Sequence, residues 1–95
     1  MEHVRGRVLR GDEVLHEDLD IAMNLFEPQP GPKQYKGCFQ LPHGPTRMNA
    51  DGPFQLDLED GRSGRFYGPR LQQRQSGIKV SFTIDGTLTK RKRSG

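Results

Sequence analysis

Residues 78–84 read Ile-Lys-Val-Ser-Phe-Thr-Ile, with an apolar side chain at every second position and a polar one between. Successive side chains of a β-strand point to opposite faces, so this pattern is typical of a strand with one buried face. Similar alternation occurs at residues 19–25, 35–41 and 54–58. Four such segments predict an antiparallel all-β domain in which one face of each strand meets water.

The alternation also predicts which side chains share a face. The side chains expected in the core are Leu19, Ile21, Met23, Leu25, Tyr35, Gly37, Phe39, Leu41, Phe54, Leu56, Leu58, Ile78, Val80, Phe82 and Ile84. Those expected to face water are Asp20, Asn24, Gln40, Gln55, Asp57, Lys79, Ser81 and Thr83. A shorter strand at residues 4–8 and a closing strand at 87–89 are expected to complete the sheet, and no helix is predicted.

The segment 54–68 allows a strand register to be predicted. Phe66 should face the core together with Phe54, which requires opposed residue numbers to have an even sum. A two-residue turn would give an odd sum and point Phe66 into water. We therefore expect a three-residue connection at 59–61, with Gly61 in the left-handed conformation of a bulged turn.

Turn-forming residues separate the other strands. Three of the five residues 28–32 are proline, which cannot donate to a central ladder, so this segment is predicted to be an exposed connection. Further connections are expected at 10–12, 42–53, 68–77 and 85–86. The loop 42–53 is the longest of them, and long loops in small domains are often functional.

A chain of 95 residues is long enough for one domain with a single core. About five to seven short antiparallel strands joined by hairpin-sized loops favour a small barrel, because closure removes exposed sheet edges. A two-sheet β-sandwich is the alternative. We expect the single β-barrel domain to span residues 1–89 and a flexible basic tail to follow at residues 90–95.

The composition bounds the class of protein. No apolar run reaches the length of about 18 residues that a membrane-spanning helix needs, and the charged first residues do not resemble a secretory signal. We therefore expect a soluble protein that does not associate with a membrane. Cys38 is the only cysteine, which excludes an internal disulfide and fits a cytoplasmic location.

The charges are sorted along the chain. Residues 1–60 hold 11 acidic and 6 basic side chains, whereas residues 61–95 hold 9 basic side chains and one acidic one. The formal net charge of +3 therefore hides an acidic first part and a basic last part. Sequence halves are not surface halves in a compact barrel, since neighbouring strands of opposite charge can pair.

The basic last part contains the strongest functional signal. Arginines spaced along a strand, with a tyrosine among them, can contact phosphates and stack a base. The candidate residues for polyanion binding are Arg62, Arg65, Tyr67, Arg70, Arg74 and Lys79. Ordinary structure explains the same pattern if Arg65 pairs with Asp57 or Glu59 across strands. The turn 61–64 offers backbone N–H groups to a phosphate, although turn chemistry accounts for its glycines better.

No catalytic, cofactor or metal site is predicted. Cys38 with His43, and Ser63 with His16, combine a nucleophile with a base, but neither pair comes with a recognisable orienting acid or oxyanion loop. The cluster of His, Glu and Asp at 16–20 lacks the ligand spacing of a calcium or zinc site. A solvated turn before a strand explains that cluster better than a metal site does.

These observations predict a non-enzymatic binding or accessory module. The leading interpretation is protein–protein interaction through the loop 42–53 and the neighbouring outer strand faces. The alternative is binding of nucleic acid or another polyanion by the late basic segment, residues 62–79, together with the tail. The two interpretations differ in the surface that they use, so the position of the late arginines in the fold decides between them.

Overall fold

The computed structural model describes residues 2–27, 30–46, 48, 52–86 and 88–90. Its strands are β1 (Glu2–Arg10), β2 (Glu13–Phe26), β3 (Gln34–Leu41), β4 (Phe54–Leu58), β5 (Arg62–Phe66), β6 (Arg70–Arg74), β7 (Gly77–Thr83) and β8 (Thr89–Lys90). Every strand pair is antiparallel, and all eight strands belong to one sheet rather than to the two sheets of a sandwich. The predicted all-β antiparallel class is confirmed.

The two ends of the sheet are brought together. Strands pair in the order β6-β7-β3-β2-β1-β4-β5-β8, yet only the three residues 67–69 separate β5 from β6. Ile84, which follows β7, forms an antiparallel bridge with Phe66 at the end of β5. Beside it, the Asp85 N–H donates to the Arg65 carbonyl at 2.7 Å. The path β5–β6 therefore runs from β4 on one side to β7 on the other.

The core lies on the concave side of the curved sheet. Every side chain predicted to face inward in the segments 54–58 and 78–84 is buried. The Phe66 ring stacks on Phe54, with ring centroids 5.4 Å apart, and on Phe82 at 4.9 Å. This row of rings joins β4, β5 and β7 across the core, so Phe66 packs where the sheet ends meet.

The predicted turn between β4 and β5 is confirmed. Residues 59–61 connect the strands, and Gly61 has a φ of 94°. The Gly61 N–H donates to the Leu58 carbonyl at 3.0 Å. The register places Phe54 opposite Phe66. The next pair is Gln55 with Arg65, and it lies on the outer face.

The prediction that Leu25 faces the core is wrong. Its side chain is 44% exposed, and Phe26 on the opposite face is 47% exposed. The β2–β3 ladder continues to the pair of Phe26 with Gln34, past the last buried side chain of β2, Met23. The alternation thus persists in the sequence after the core has ended, and Lys36 lies over the Phe26 ring, 4.6 Å from its centroid.

The prediction of a connection over 68–77 is also wrong in part, because residues 70–74 form β6. This strand pairs with β7 along its whole length. Only Leu71 packs against the core, and Gln73, two residues on, is exposed. The pairing of β6 rests on backbone hydrogen bonds, which leave no apolar alternation in the sequence.

β2 is one long strand with an irregularity that the sequence did not reveal. Its register against β1 shifts between the pair of Gly6 with Leu19 and the pair of Val8 with His16. Asp18 lies within this bulge and has a φ of 56°, in the left-handed region that aspartate tolerates better than most residues. At the bulge Asp18 points outward, and its carboxylate accepts a hydrogen bond from the Arg5 side chain of β1.

The predicted loop 42–53 is anchored to the sheet and its core. Met48 is fully buried in the core cluster, and its N–H donates to Thr46 Oγ1 at 3.2 Å. The His16 ring on β2 lies 3.4 Å from the same oxygen. At the start of the loop, His43 Nε2 donates to a carbonyl of the β6–β7 turn at 3.0 Å.

Some predictions concern residues outside the described set. These residues are 1 at the start of the predicted domain, 28–29, 47 and 49–51 in the predicted connections, 87 in the closing segment and 91–95 in the predicted tail. The closing strand is found at Thr89–Lys90, where it pairs with β5. The described part of the chain contains no helix with the length and hydrophobicity that a membrane crossing requires.

Candidate functional site

Arg62 differs from the other candidate residues because it is already paired. It lies on the same side of β5 as Phe66, and its side chain is 21% exposed. Arg62 Nη2 lies 2.9 Å from Glu2 Oε1 and 2.7 Å from Asp60 Oδ2. The hydrogen bond to Asp60, supported by that to Glu2 and opposed by burial, raises the pKa of the Arg62 guanidinium. We therefore leave Arg62 out of the candidate site.

The remaining candidates lie on the outer side of the sheet. Because Phe66 points inward, Arg65 points outward, and Tyr67 beyond it is 49% exposed. On β6, Leu71 packs inward, so the alternate side chains face water. We name this surface the basic wall, and it consists of Arg65, Tyr67, Arg70, Arg74 and Lys79.

Strand register brings three members of the basic wall together. Arg70 is opposite Ser81, and Arg74 is opposite Gly77. Lys79 lies midway between these partners on β7, so it is the diagonal neighbour of both arginines, with Cβ separations of about 7–8 Å. Three positive charges therefore share one patch on the outer face of β6 and β7.

Arg65 and Tyr67 continue this patch along the chain. They lie on and just after β5, which leads through three residues into β6. Gln72 was not among the candidates predicted from the sequence, but it faces outward between the arginines of β6 and is opposite Lys79. Its position two residues from both Arg70 and Arg74 would have predicted that the three side chains share a face.

The basic side chains of the basic wall, which are Arg65, Arg70, Arg74 and Lys79, form no ion pair with another described residue. The suggested pairing of Arg65 with Asp57 is not formed: Arg65 is opposite Gln55, and Asp57 lies 3.6 Å from Arg7 of β1. Because β1 is the other neighbour of β4, the Asp57 carboxylate pairs with Arg7 of β1 instead of with Arg65 of β5.

The outer face of β1, β2 and β4, by contrast, has paired charges. Arg5 Nη1 on β1 donates to Asp18 Oδ1 at 2.8 Å, and His3 Nδ1 lies 3.4 Å from Asp20 Oδ1. Arg7 Nη2 lies 3.6 Å from Asp57 Oδ2, so both of these β1 arginines are next to a carboxylate of a neighbouring strand. The uneven distribution of charge along the sequence thus becomes an uneven distribution over the surface.

A shallow depression adjoins the basic wall. Its volume is about 450 Å³, and Arg74, Lys79, Gln40, Cys38 and Asp20 are among the residues that line it. Asp20 thus lines the same depression as these two basic side chains. The mixture of a half-buried thiol, an amide and charged groups offers polar contacts but no enclosed chamber for a small substrate.

The nucleophile–base pairs that were weighed and set aside on the sequence are not assembled in the described residues. The ring of His43 bonds to the Gln75 carbonyl rather than to Cys38. Ser63 lies on β5 opposite Asp57 of β4, whereas the His16 ring contacts Thr46. Within the described ranges, no group of three or more His, Cys, Asp or Glu side chains could hold a metal ion.

In the turn 61–64, backbone N–H groups that could bind a phosphate are already hydrogen-bonded within the turn. The Gly61 N–H donates to the Leu58 carbonyl, and the Arg62 N–H donates to Asp60 Oδ1 at 3.0 Å. An anion at this turn would have to displace these bonds, which satisfy the turn internally. The outer surface of β5, β6 and β7 is therefore the better candidate.

Comparisons with protein-family models, with curated proteins and with solved structures return no match. The geometry of the basic wall and the chemistry of its side chains are therefore the basis for a functional proposal. The basic wall has four basic side chains that form no ion pair with a described residue and one exposed aromatic ring, all on the outer face of the sheet.

Proposed function

We propose that this domain is a non-enzymatic binding module that takes a polyanionic partner on the basic wall. The supporting observation is that four basic side chains face outward on adjoining strands without a described carboxylate partner. Neighbouring like charges repel one another, so they add nothing to the stability of the fold. A polyanion relieves this repulsion and releases its own counterions on binding.

The shape of the surface suits an extended partner. The outward side chains of a strand recur about every 7 Å, which matches a ligand with regularly spaced anionic groups. Arg70 and Arg74 sit on one strand, Lys79 lies beside them, and Arg65 continues the series through the bend. A partner following the β5–β6 path would meet one cation after another.

Protein–protein interaction through the loop 42–53 remains the second proposal. One observation favours it: residues 42–45 are exposed, and His43 contacts the β6–β7 turn beside Arg74. The loop therefore adjoins one end of the basic wall. We rank it second because Met48 and Thr46 of this loop are used in packing against the barrel.

Charge reversal on the basic wall is expected to abolish polyanion binding. The triple variant Arg70→Glu, Arg74→Glu and Lys79→Glu should bind labelled inorganic polyphosphate about 100-fold more weakly, or worse, at low salt, because attraction becomes repulsion. The wild-type affinity should fall with salt, with a log–log slope of about −3 for four contacts. Fluorescence anisotropy over a salt series measures both quantities.

A single substitution elsewhere supplies the control. Lys33→Glu makes the same change of net charge as Arg70→Glu, but Lys33 lies between β2 and β3, where its exposed side chain pairs with Glu27 at 3.6 Å. Arg70→Glu should weaken binding clearly more than Lys33→Glu does, with circular dichroism showing both variants folded. Equal weakening, or no binding by the wild type at low salt, would refute the proposal.

A further inference from the structure

We infer that the polyanion is a single-stranded nucleic acid, with one of its bases stacked on Tyr67. This inference rests on the proposed function and adds a chemical class to the partner. Phosphate contacts alone fit any polyanion, so the inference depends on the aromatic ring and on its place among the cations.

Tyr67 is the exposed ring within the basic wall. The other exposed large apolar side chains of the described fold are Leu25 and Phe26, at the turn end of the β2–β3 hairpin, where the Lys36 ammonium lies over the Phe26 ring. Tyr67 lies two residues from Arg65 and three from Arg70. A base on this ring would have phosphate-binding groups before and after it along the chain.

The backbone beside Tyr67 leaves room for a ligand. Gly68 has a φ of 52°, which turns the chain between β5 and β6. A Cβ added at Gly68 would meet no atom within 4 Å apart from its chain neighbours, so the bend itself is uncrowded. The aromatic face thus sits at an uncrowded bend, and a planar base needs such access to stack.

The convex surface favours a single strand over a duplex. Bases of a duplex are stacked inside it, and they are reached through its grooves by an inserted helix or strand. The basic wall is the outer face of a sheet, so its ring can meet only a base that is already unpaired. An acidic protein could pair its carboxylates with the arginines but has no nucleobase to stack on Tyr67.

Substitution of Tyr67 tests the inference on the full chain. The probes are a single-stranded oligothymidylate of about 15 nucleotides, a duplex of equal length, inorganic polyphosphate and polyglutamate. Tyr67→Ala should weaken oligothymidylate binding about 5- to 100-fold, and by a clearly larger factor than it weakens polyphosphate binding, because only the oligonucleotide has a base that can stack on the ring. Tyr67→Phe, which keeps the ring, should retain the affinity of the wild type.

Tyrosine fluorescence gives a second readout. The chain has two tyrosines and no tryptophan, so Tyr35→Phe leaves Tyr67 as its single emitter. Stacking should quench this emission with oligothymidylate but not with polyphosphate. Equal affinity of Tyr67→Ala and wild type for oligothymidylate, or tighter binding of duplex or polyglutamate, would overturn the inference while leaving the proposed function intact. Failure of every probe to bind would overturn both.

Discussion

Phe66→Ala is expected to lower the free energy of unfolding by about 3–5 kcal/mol. The side chain is fully buried and stacks on Phe54 and Phe82, and its backbone bridges to Ile84 where the sheet ends meet. Truncation would leave a cavity at the one place where strands from both ends of the pairing order share the core. Small domains have about 5–15 kcal/mol of stability in total, so the variant should be close to unfolding.

The neighbouring residue supplies a matched control for this prediction. Tyr67→Ala removes a ring of similar size from an exposed position, so its stability should stay within about 0.5 kcal/mol of the wild type. Urea unfolding followed by far-ultraviolet circular dichroism measures both variants. Similar stability of Phe66→Ala and Tyr67→Ala would mean that Phe66 does not occupy the core.

Gly6→Val is expected to cost about 3 kcal/mol of stability by crowding the β1–β4 contact. A Cβ at Gly6 would lie 2.6 Å from the Asp57 carbonyl oxygen and 3.0 Å from side-chain atoms of Ile21 and Leu58. The backbone oxygen cannot move without separating the two strands. This clash outweighs the gain of about 0.5–1 kcal/mol that replacing a glycine within a strand would otherwise bring.

Asn24→Val is the control for Gly6→Val. It introduces the same side chain on β2 at an exposed position, where its effect should lie within about 0.5 kcal/mol. Thermal unfolding of both variants gives the comparison. A Gly6→Val protein as stable as Asn24→Val would contradict the register that places Gly6 opposite Leu58.

The sequence carried enough information to predict the β4–β5 hairpin. Both strands bury one face, so the requirement that Phe54 and Phe66 share it fixes the turn length through parity alone. The same parity was sufficient to separate Arg62 from Arg65, because Arg62 lies an even number of residues before Phe66. The inward position of Arg62 was therefore predictable from the sequence, although Arg62 was grouped there with the outward-facing arginines.

Other features depend on neighbours that are distant in sequence. β6 pairs through its backbone, so residues 70–74 hold only one apolar side chain to reveal it. Leu25 continues the alternation although the layer that would cover it has ended. Met48 is buried as a single residue within a loop, where no periodicity can indicate it.

The charge pairing of the candidate site also required the strand order. Asp57 could pair with Arg65 on β5 or with a base on its other neighbour, and that neighbour could not be identified from the sequence. β1 occupies the position and brings Arg7 to Asp57, which leaves Arg65 without a described carboxylate partner. The charge asymmetry in the sequence was therefore a real signal of surface charge, but the pairings that preserve it were visible only in the fold.

The central claim is that the outer face of β5, β6 and β7 binds polyanions. Backbone amide chemical shifts, recorded while inorganic polyphosphate is added at low salt, test it most directly. The account predicts shift changes that cluster at Arg65, Arg70, Arg74 and Lys79, with Arg5 on the paired β1 face unaffected. Changes centred on β1 and β2, or no changes at saturating polyphosphate, would contradict it.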